Sequence, residues 1–584
     1  MNYNIIDIET YNNEEKFIAY CVCLKVNKEI KVFYGEKPIE ELLDWMKNLK
    51  KKITIYAHNL SFDGALIIEK INPKIFEIKP LIFRNSIYSI TMINKTNNNI
   101  IELRCSYKLF PLPLKKIGNL FENYNKLDFP HKFVKSDKIF YIGEHPELWY
   151  IKEWNLKEEC IKYCIRDLEI VEKFMKKINE NIDLKIIEQS KSISSLALKI
   201  FDKSFNYKKI NISLHQNDDE LIRESYYGGR CEVFGNAMSN ENIYHFDFTG
   251  MYSQIMKEET FCFGKPYISK EKKIDKPGFY KVRVLSIGFE IPILPYRDEK
   301  NKKLIFPNGT WVSTYWWEEL VLFEEKGGII IEIIEFIGFN NHEKIFDKFI
   351  ENYEELRKIG KFENIFWKLF VNSLSGRLGM QSTNEKNILT LSDEEYTLIR
   401  EKGYNIIRER RTNNIRLITV LDDKKKEFTQ SNVALTSAIT SKARIKLFKA
   451  YEETINNNGR LLYSDTDSIF AAFNENPFKK KWNLIKWEEG IDEAVFCIPK
   501  GYALKNKFKT IIKLKGFMVK NISFDEFKDA FENHSNILEK QEHFKKIDLI
   551  PYLVTTEKNT KLWNYTKRTF SKDRKNTKPI NIYA

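Results

Sequence analysis

Leu461-Leu462-Tyr463-Ser464-Asp465-Thr466-Asp467-Ser468-Ile469-Phe470 is the stretch that decides how this chain is read. Apolar residues run up to an acidic tetrapeptide and resume directly after it. The pattern predicts a β-hairpin of two short buried strands with Asp-Thr-Asp at the turn, where aspartate tolerates the geometry. Two carboxylates at one tip repel each other unless a cation neutralises them. Hard divalent cations that keep several waters and bind phosphates suit that arrangement. A lone Asp-x-Asp also fits a solvated acidic turn. The flanking tyrosine, the apolar strands and a second acidic strand elsewhere weigh against it.

That second strand is Ile243-Tyr244-His245-Phe246-Asp247, followed by Phe248-Thr249-Gly250-Met251-Tyr252-Ser253. It delivers Asp247 to its end, and a helix is expected to start around Met251. Asp247 lies more than two hundred residues from Asp465 and Asp467. Two metals held by the three would clamp an attacking 3′-hydroxyl and a triphosphate.

With 584 residues the chain is too long for one core, and roughly two to four domains are expected. Hydrophobic residues make up 43%, enough for globular packing, and no segment approaches the apolar run of a membrane span. The first residues enter an apolar strand with a charged centre, so no signal peptide is expected. A net charge of +14 despite 81 acidic residues points to a polyanionic partner, although the abundance of Lys, Asn and Ile also fits an AT-rich genome. Eight cysteines in so long a chain make no disulfide framework. Cys21-Val22-Cys23 lies in a strand expected to alternate, and Cys160 and Cys164 are one helical turn apart. Neither pair has a second Cys or His pair at zinc-site spacing, so buried thiols in a reducing compartment are expected.

Near the N-terminus, Tyr3 to Thr10 predicts a strand with Asp7 and Glu9 on one face. Ile53 to Ala57 predicts another, ending in His58-Asn59-Leu60-Ser61-Phe62-Asp63-Gly64 before a helix. In the amphipathic segment Glu158 to Asp167, Tyr163 and Asp167 are four apart and share a side. Singly, such acids are surface charges or helix caps. Together Asp7, Glu9, Asp63 and Asp167 could hold two metals that activate water and stabilise a leaving phosphate oxygen, with Tyr163 orienting the water. Here the sequence resembles the proofreading 3′–5′ exonuclease domain of DnaQ-like, RNase H-fold nucleases, whose three motifs these segments match in order.

Between the second and third motifs, Cys105 to Ile117 offers Ser106, Tyr107 and paired lysines, suited to stacking and pairing with a single-stranded end. It resembles the family's single-strand-binding motif, and a proline-spaced core loop is the alternative. The same resemblance makes Asn59 and Phe62 DNA contacts. It also places Lys132, one residue out of register, where related nucleases keep a phosphate-stabilising lysine.

Residues from about 182 to 221 read as a helical, polar connector. It leads to Tyr226-Tyr227-Gly228-Gly229-Arg230, where paired glycines permit close backbone approach and the aromatics and arginine suit a nucleic-acid backbone. This resembles the Tyr-x-Gly-Gly motif of family B polymerases. Arg357, Lys361, Lys368 and Asn372 share one side of a helix, with Gly360 expected to break the run and leave Arg357 on a preceding helix. A solvated basic face is the bland alternative. Lys368-x3-Asn372-Ser373-Leu374-Ser375-Gly376 nevertheless resembles the family's fingers motif, in which the lysine neutralises triphosphate charge and the asparagine supports the nucleotide. Lys500-Gly501-Tyr502 resembles the Lys-x-Tyr primer-binding motif, with Lys500 on phosphate and Tyr502 near the primer end.

Taken in order, these motifs span nearly the whole chain and resemble a protein-primed family B DNA polymerase of the small-podophage, phi-twenty-nine type. The resemblance implies an α/β and α+β multidomain fold. An RNase H-like 3′–5′ exonuclease domain would occupy 1–185 and a linker 186–235. A right hand would follow, with palm at 236–289 and 429–525, fingers at 346–380 and thumb at 526–584. Two terminal-protein-region inserts, at 290–345 and 381–428, are placed by position alone; the second centres on the polar Ser392-Asp393-Glu394-Glu395. The basic stretch 551–584, with eight Lys/Arg against two acidic residues, fits either a duplex clamp or a solvated tail.

The implied activity is template-directed DNA synthesis with proofreading, primed by a serine hydroxyl of a terminal protein, processive and strand-displacing. The implied cofactor is Mg²⁺, two per site, with Mn²⁺ as a substitute; Phe248 joins Asp247 among the metal positions, and Asp467 is the stronger ligand of its pair. Tyr252 would lie under the incoming sugar and exclude a 2′-hydroxyl, and Lys361, Ser375 and Gly376 would line the nucleotide. Implied partners are primer-template DNA, single-stranded DNA, deoxynucleotides and a terminal protein, for a monomer in the cytoplasm of an infected bacterial host. Two departures stand out. The family's Ser-Leu-Tyr-Pro reads Gly250-Met251-Tyr252-Ser253 here, and Ser375 stands where a tyrosine normally abuts the nascent base pair. The alternatives are a conventionally primed family B polymerase, or a nuclease or DNA-binding replication scaffold with an inactive polymerase body.

Overall fold

The computed structural model describes residues 3–583 apart from 13–16, 84–85, 128–131, 136–137, 142–155, 207–215, 238–240, 299–301, 382, 413–414, 427–430, 476–485, 488–490, 519–521 and 548–549. The first module is a seven-stranded sheet in the order Glu29–Tyr34, Phe17–Val26, Asn4–Asn12, Ile53–Ala57, Ile100–Cys105, Ser86–Asn94, Phe76–Phe83. Its middle strands are parallel, Asn4–Asn12 beside Ile53–Ala57 and that beside Ile100–Cys105. The strand Phe17–Val26 departs from the expected alternation, because its six central residues are all buried. Helix Leu156–Asn179 packs against it with Cys21 and Cys23, while helix Pro38–Lys47 covers Val22 and Leu24. A strand covered on both faces has no polar side to show.

The second module is built on a five-stranded sheet in the order Cys231–Val233, Arg460–Asp465, Ser468–Phe473, Asn242–Asp247, Lys486–Trp487. The hairpin Arg460–Asp465/Ser468–Phe473 forms as the apolar flanks predict, with the turn at Thr466-Asp467. Helix Val433–Asn456 supports it and is buried along most of its length, including Ser437, Ser441, Lys442 and Arg444.

The connector is not polar. Helix Ile193–Ile200, opened by a reciprocal Ser192–Ser195 capping box, buries Ile193, Leu196, Ala197, Leu198 and Ile200 against helix Lys361–Leu378. Helices Asp347–Arg357 and Lys361–Leu378 make the expected hairpin broken at Gly360.

One further sheet runs across the expected boundary at 289/290. Its order is Phe261–Ser269, Ile329–Glu343, Gly278–Ser286, Asn308–Trp316, Asn581–Tyr583. The last strand pairs parallel with Asn308–Trp316, so the C-terminus is built into this sheet rather than trailing as a solvated tail. The second insert folds as a three-stranded sheet of Thr383–Thr390, Ile415–Lys426 and Asn405–Thr412 with helix Asp393–Glu401, capped by Ser392. Leu389, Leu391 and Leu417 join it to the first module's core. Strands Asn536–Ile547 and Ile550–Lys561 pair antiparallel along their whole length. Among the described residues no helix is long and apolar enough to cross a membrane.

Candidate active sites

Backbone hydrogen bonding brings the second acidic cluster together. Asp247 and Asp465 both pair in register with Ser468, and the Phe248 N–H donates to the Asp467 carbonyl at 2.8 Å. Thr466 takes the left-handed conformation (φ 62°), and the Asp467 N–H closes the turn on the Asp465 carbonyl at 2.7 Å. Burial and the charges of Asp247 and Asp465 push the Asp467 carboxyl up, with Lys368 opposing. A hard-oxygen donor set with mutual repulsion fits a divalent cation. Phe248 is buried, so only its main chain can face an ion. Lys500, itself at a positive φ, reaches Asp465 Oδ2 at 3.3 Å.

The loop Tyr226 to Arg230 lies against the hairpin tip. The Thr466 N–H donates to the Arg230 carbonyl at 2.7 Å, and a Cβ on Gly229 would meet Thr466 Cγ2 at 2.7 Å, so the second glycine is required by close approach. Arg444 holds the loop from below, donating to the carbonyls of Tyr227 (2.8 Å) and Gly228 (3.1 Å). Glu319 in turn holds Arg444 at 2.7 and 2.9 Å, with Ser441 donating to Glu319 at 2.6 Å. The expected DNA contact by Arg230 is corrected: its guanidinium is buried, bonded to Glu232 at 2.8 Å and to the Pro292 carbonyl at 2.7 Å, and lies over Phe306. Tyr226 is half-buried and Gly228 is exposed.

Gly250 at the start of helix Met251–Glu258 takes φ 67°, a conformation glycine adopts without strain, so this departure from the family pattern serves the turn. Ser253 donates to Asn372 Oδ1 at 2.9 Å and ties that helix to Lys361–Leu378. Lys361, Lys368 and Gly376 are exposed. The Ser375 hydroxyl turns back to the Asn372 carbonyl at 3.2 Å. Burial pushes Tyr252 up to about 12, so it stays a neutral phenol. The Tyr502 ring is 7% exposed and packs among Tyr463, Phe470 and Phe496, so little of it is open to a primer.

The first acidic cluster gathers Asp7 and Glu9 from strand Asn4–Asn12, Asp63 from the first turn of helix Leu60–Lys70 and Asp167 from helix Leu156–Asn179. Burial pushes all four carboxyls up, and repulsion from neighbouring carboxylates adds to it at Glu9 and Asp63, well above the usual range, and at Asp167, to about 7. Asp167 Oδ1 is buried without a hydrogen-bond partner, and an orphaned oxygen among raised carboxylates fits a divalent cation.

The lysine beside the cluster is Lys126, 2.5 Å from Asp167 Oδ2 and 4.7 Å from the Tyr163 ring centre. Lys132 begins strand Lys132–Lys135, and its side chain lies outside the described residues. Ser106 is also corrected: it is fully buried, 3.1 Å from His58 Nδ1, and braces the loop rather than meeting DNA. Burial pushes His58 down to about 4, and its Nε2 meets the Leu112 carbonyl at 2.9 Å. Tyr107 is half-buried, edge-on to His58; Phe62 is half-buried against Phe17; Asn59 is exposed at φ 71°.

These carboxylates predict a stability effect. With its proton held more tightly in the folded chain than in the unfolded one, Glu9 lowers stability as pH rises through the ordinary glutamate range towards its folded value. Glu9→Gln therefore melts about 2–4 °C above wild type at pH 8 after chelation. The gap closes below about pH 4, where both states are protonated. It also closes when Mg²⁺ is restored to wild type. A lower melting temperature for the variant at pH 8 would remove this account.

An RNase H-like sheet joined to a palm sheet that carries a carboxylate hairpin defines a nuclease-plus-right-hand polymerase architecture. The family model for DNA polymerase type B, organellar and viral, matches residues 45–459, and the chain belongs to that family. A probable DNA polymerase of Podospora anserina is 26% identical over 577 residues, covering 87% of this chain and 48% of that protein. The DNA-directed DNA polymerase of Enterobacteria phage PRD1 is 23% identical, covering 82% of this chain and 78% of its own. The chain spans about half the length of the first fungal relatives, 48% and 56%. The phi29 DNA polymerase, solved with primer-template DNA and incoming nucleotide, superposes with a TM-score of 0.73 at 19% identity, over 95% of this chain and 99% of that one. That likeness establishes the fold. Relatives come from fungi and from bacteriophages alike, so kinship names no host.

Sequence reading missed Lys126, Arg444, Glu319 and His58. Lys126 carried no signal, since its partner is 41 residues away. Nothing local in the sequence distinguishes Glu319 and Arg444 from other helix charges; only their burial sets them apart.

Proposed function

We propose that this chain is a template-directed DNA polymerase with a 3′–5′ editing nuclease, protein-primed, processive and strand-displacing. The observation that carries it is the pair of separate carboxylate clusters on one chain, the palm set Asp247, Asp465 and Asp467 and the sheet set Asp7, Glu9, Asp63 and Asp167. Mg²⁺, two ions per cluster, would supply Lewis-acid stabilisation of the attacking and leaving oxygens. Asp247 and Asp467 would hold the cation in the palm, where Lys368 meets triphosphate charge and Asn372, fixed by Ser253, supports the nucleotide. Tyr252 underlies the sugar. In the nuclease, Tyr163 orients water and Lys126 balances charge at Asp167. Primer-template DNA, single-stranded DNA, deoxynucleotides and a priming protein are the partners, the last received by the sheet across 290–345, and the chain acts as a monomer.

The test is a primer annealed to a long single-stranded circle, extended with Mg²⁺ and deoxynucleotides. Wild type copies past one full circle. Asp7→Ala/Glu9→Ala keeps synthesis and loses degradation of single-stranded DNA. Degradation without synthesis in wild type leaves a nuclease and overturns the polymerase reading. Priming is read separately, by whether synthesis starts on a protein hydroxyl without an annealed primer.

A further inference from the structure

Cys164, from the second of the two cysteine pairs that look unrelated in the sequence, meets Cys21 and Cys23 beneath the nuclease carboxylates. Strand Phe17–Val26 puts Cys21 and Cys23 on one face with their sulfurs 4.0 Å apart. Helix Leu156–Asn179 brings Cys164 onto them, and all three sulfurs lie within 4.8 Å of one another. Cys164 Sγ is 3.5 Å from Asp7 Oδ2, and Cys164 forms a second tight group with the Asp7 and Glu9 carboxylates.

We propose that Cys21, Cys23 and Cys164, with the Asp7 carboxylate, form a binding site for a thiophilic divalent cation such as Zn²⁺ or Cd²⁺, whose occupation stops DNA hydrolysis and spares synthesis. A tetrahedral zinc with sulfurs at about 2.3 Å sets those sulfurs about 3.8 Å apart, close to the 4.0 Å between Cys21 and Cys23 and within reach of Cys164, at most 4.8 Å away. Three sulfurs and one carboxylate make a donor set that favours zinc or cadmium over Mg²⁺. The thiols themselves are fully buried, and Asp7, partly open above Cys164, gives the way in. Each thiol that binds releases its proton to solvent. Asp7, drawn to the soft cation, is lost to the hard one that hydrolysis needs. The sulfur site stands on its own geometry; only the effect on hydrolysis rests on the nuclease reading.

The experiment titrates Cd²⁺ into chelator-stripped protein kept reduced with a phosphine, reading the thiolate-to-cadmium charge-transfer band in the ultraviolet. Wild type, Cys21→Ala and Cys23→Ser are compared, with primer extension checking that each variant is folded. Wild type gains the band at one equivalent, and both variants lose most of it. With Mg²⁺ present, Cd²⁺ lowers wild-type degradation of single-stranded DNA at least about tenfold at a concentration that spares extension, and Cys23→Ser resists. No band in wild type, or a band unchanged in both variants, overturns the site. A band with undiminished degradation overturns the inhibitory role. If wild type degrades nothing before Cd²⁺ is added, the nuclease reading fails and the band alone decides the site.

Discussion

Asp467→Asn loses primer extension by about a thousandfold, the several kcal/mol that metal-borne charge stabilisation supplies at a reacting phosphate. The variant still degrades single-stranded DNA at the wild-type rate, because its nuclease carboxylates stand on another sheet and the helices beside it. Folding is not the cause of the loss. Burial and two neighbouring aspartates already disfavour the Asp467 charge, so neutralising it does not lower the metal-free melting temperature at pH 8. Asp465→Asn costs less than Asp467→Asn, since Lys500 at 3.3 Å already competes with a cation for Asp465. Single-turnover extension with saturating deoxynucleotide separates the chemical step from binding. Equal losses in the two variants would mean that both aspartates ligate equally. No loss in Asp467→Asn would remove the palm assignment altogether.

The hairpin was legible because both signals on which it rests are local. Apolar runs of strand length flank an acidic turn, and the register then follows from main-chain pairing. The acid pair Asp7/Glu9 at i, i+2 and the Tyr163/Asp167 pair at i, i+4 were legible for the same reason, and so was the break at Gly360. Burial of the cysteines and of the hairpin strands was legible too; what failed were judgements of which polar side chains are closed off from solvent. Arg230 has the composition of a phosphate contact, yet Glu232 two residues on lies beside it in the closed interior and takes its charge. Ser106 has the hydroxyl of a DNA contact but serves His58. The polar reading of 182–221 averaged charged turns with helix Ile193–Ile200, whose apolar face is core. The sheet across 289/290 was not legible because strand Gly278–Ser286 pairs on both sides with strands beyond it, and pairing with partners as distant as Gly338 leaves no local trace.

Glu319→Ala separates what holds the Tyr-x-Gly-Gly loop from what touches DNA. Glu319 and Arg444 are buried together, 2% and 3% exposed, and breaking a buried pair from one side costs about 3–5 kcal/mol because the remaining charge has no partner. The expected loss is a melting temperature about 10 °C lower for the module concerned. Extension falls with it, because the released guanidinium no longer fixes the Tyr227 and Gly228 carbonyls, and those set where Gly229 meets Thr466. A double variant tells stability from positioning. Replacing both partners by apolar side chains, Glu319→Leu/Arg444→Met, recovers most of the lost stability, as apolar replacement of buried ion pairs often does. It does not recover extension, since methionine donates nothing to the two carbonyls. Amide exchange over 226–230, slow in wild type, is fast in both variants while the hairpin Arg460–Asp465/Ser468–Phe473 stays protected. Full extension by the stable double variant would show that the loop needs no anchor, and the role of Arg444 would reduce to packing.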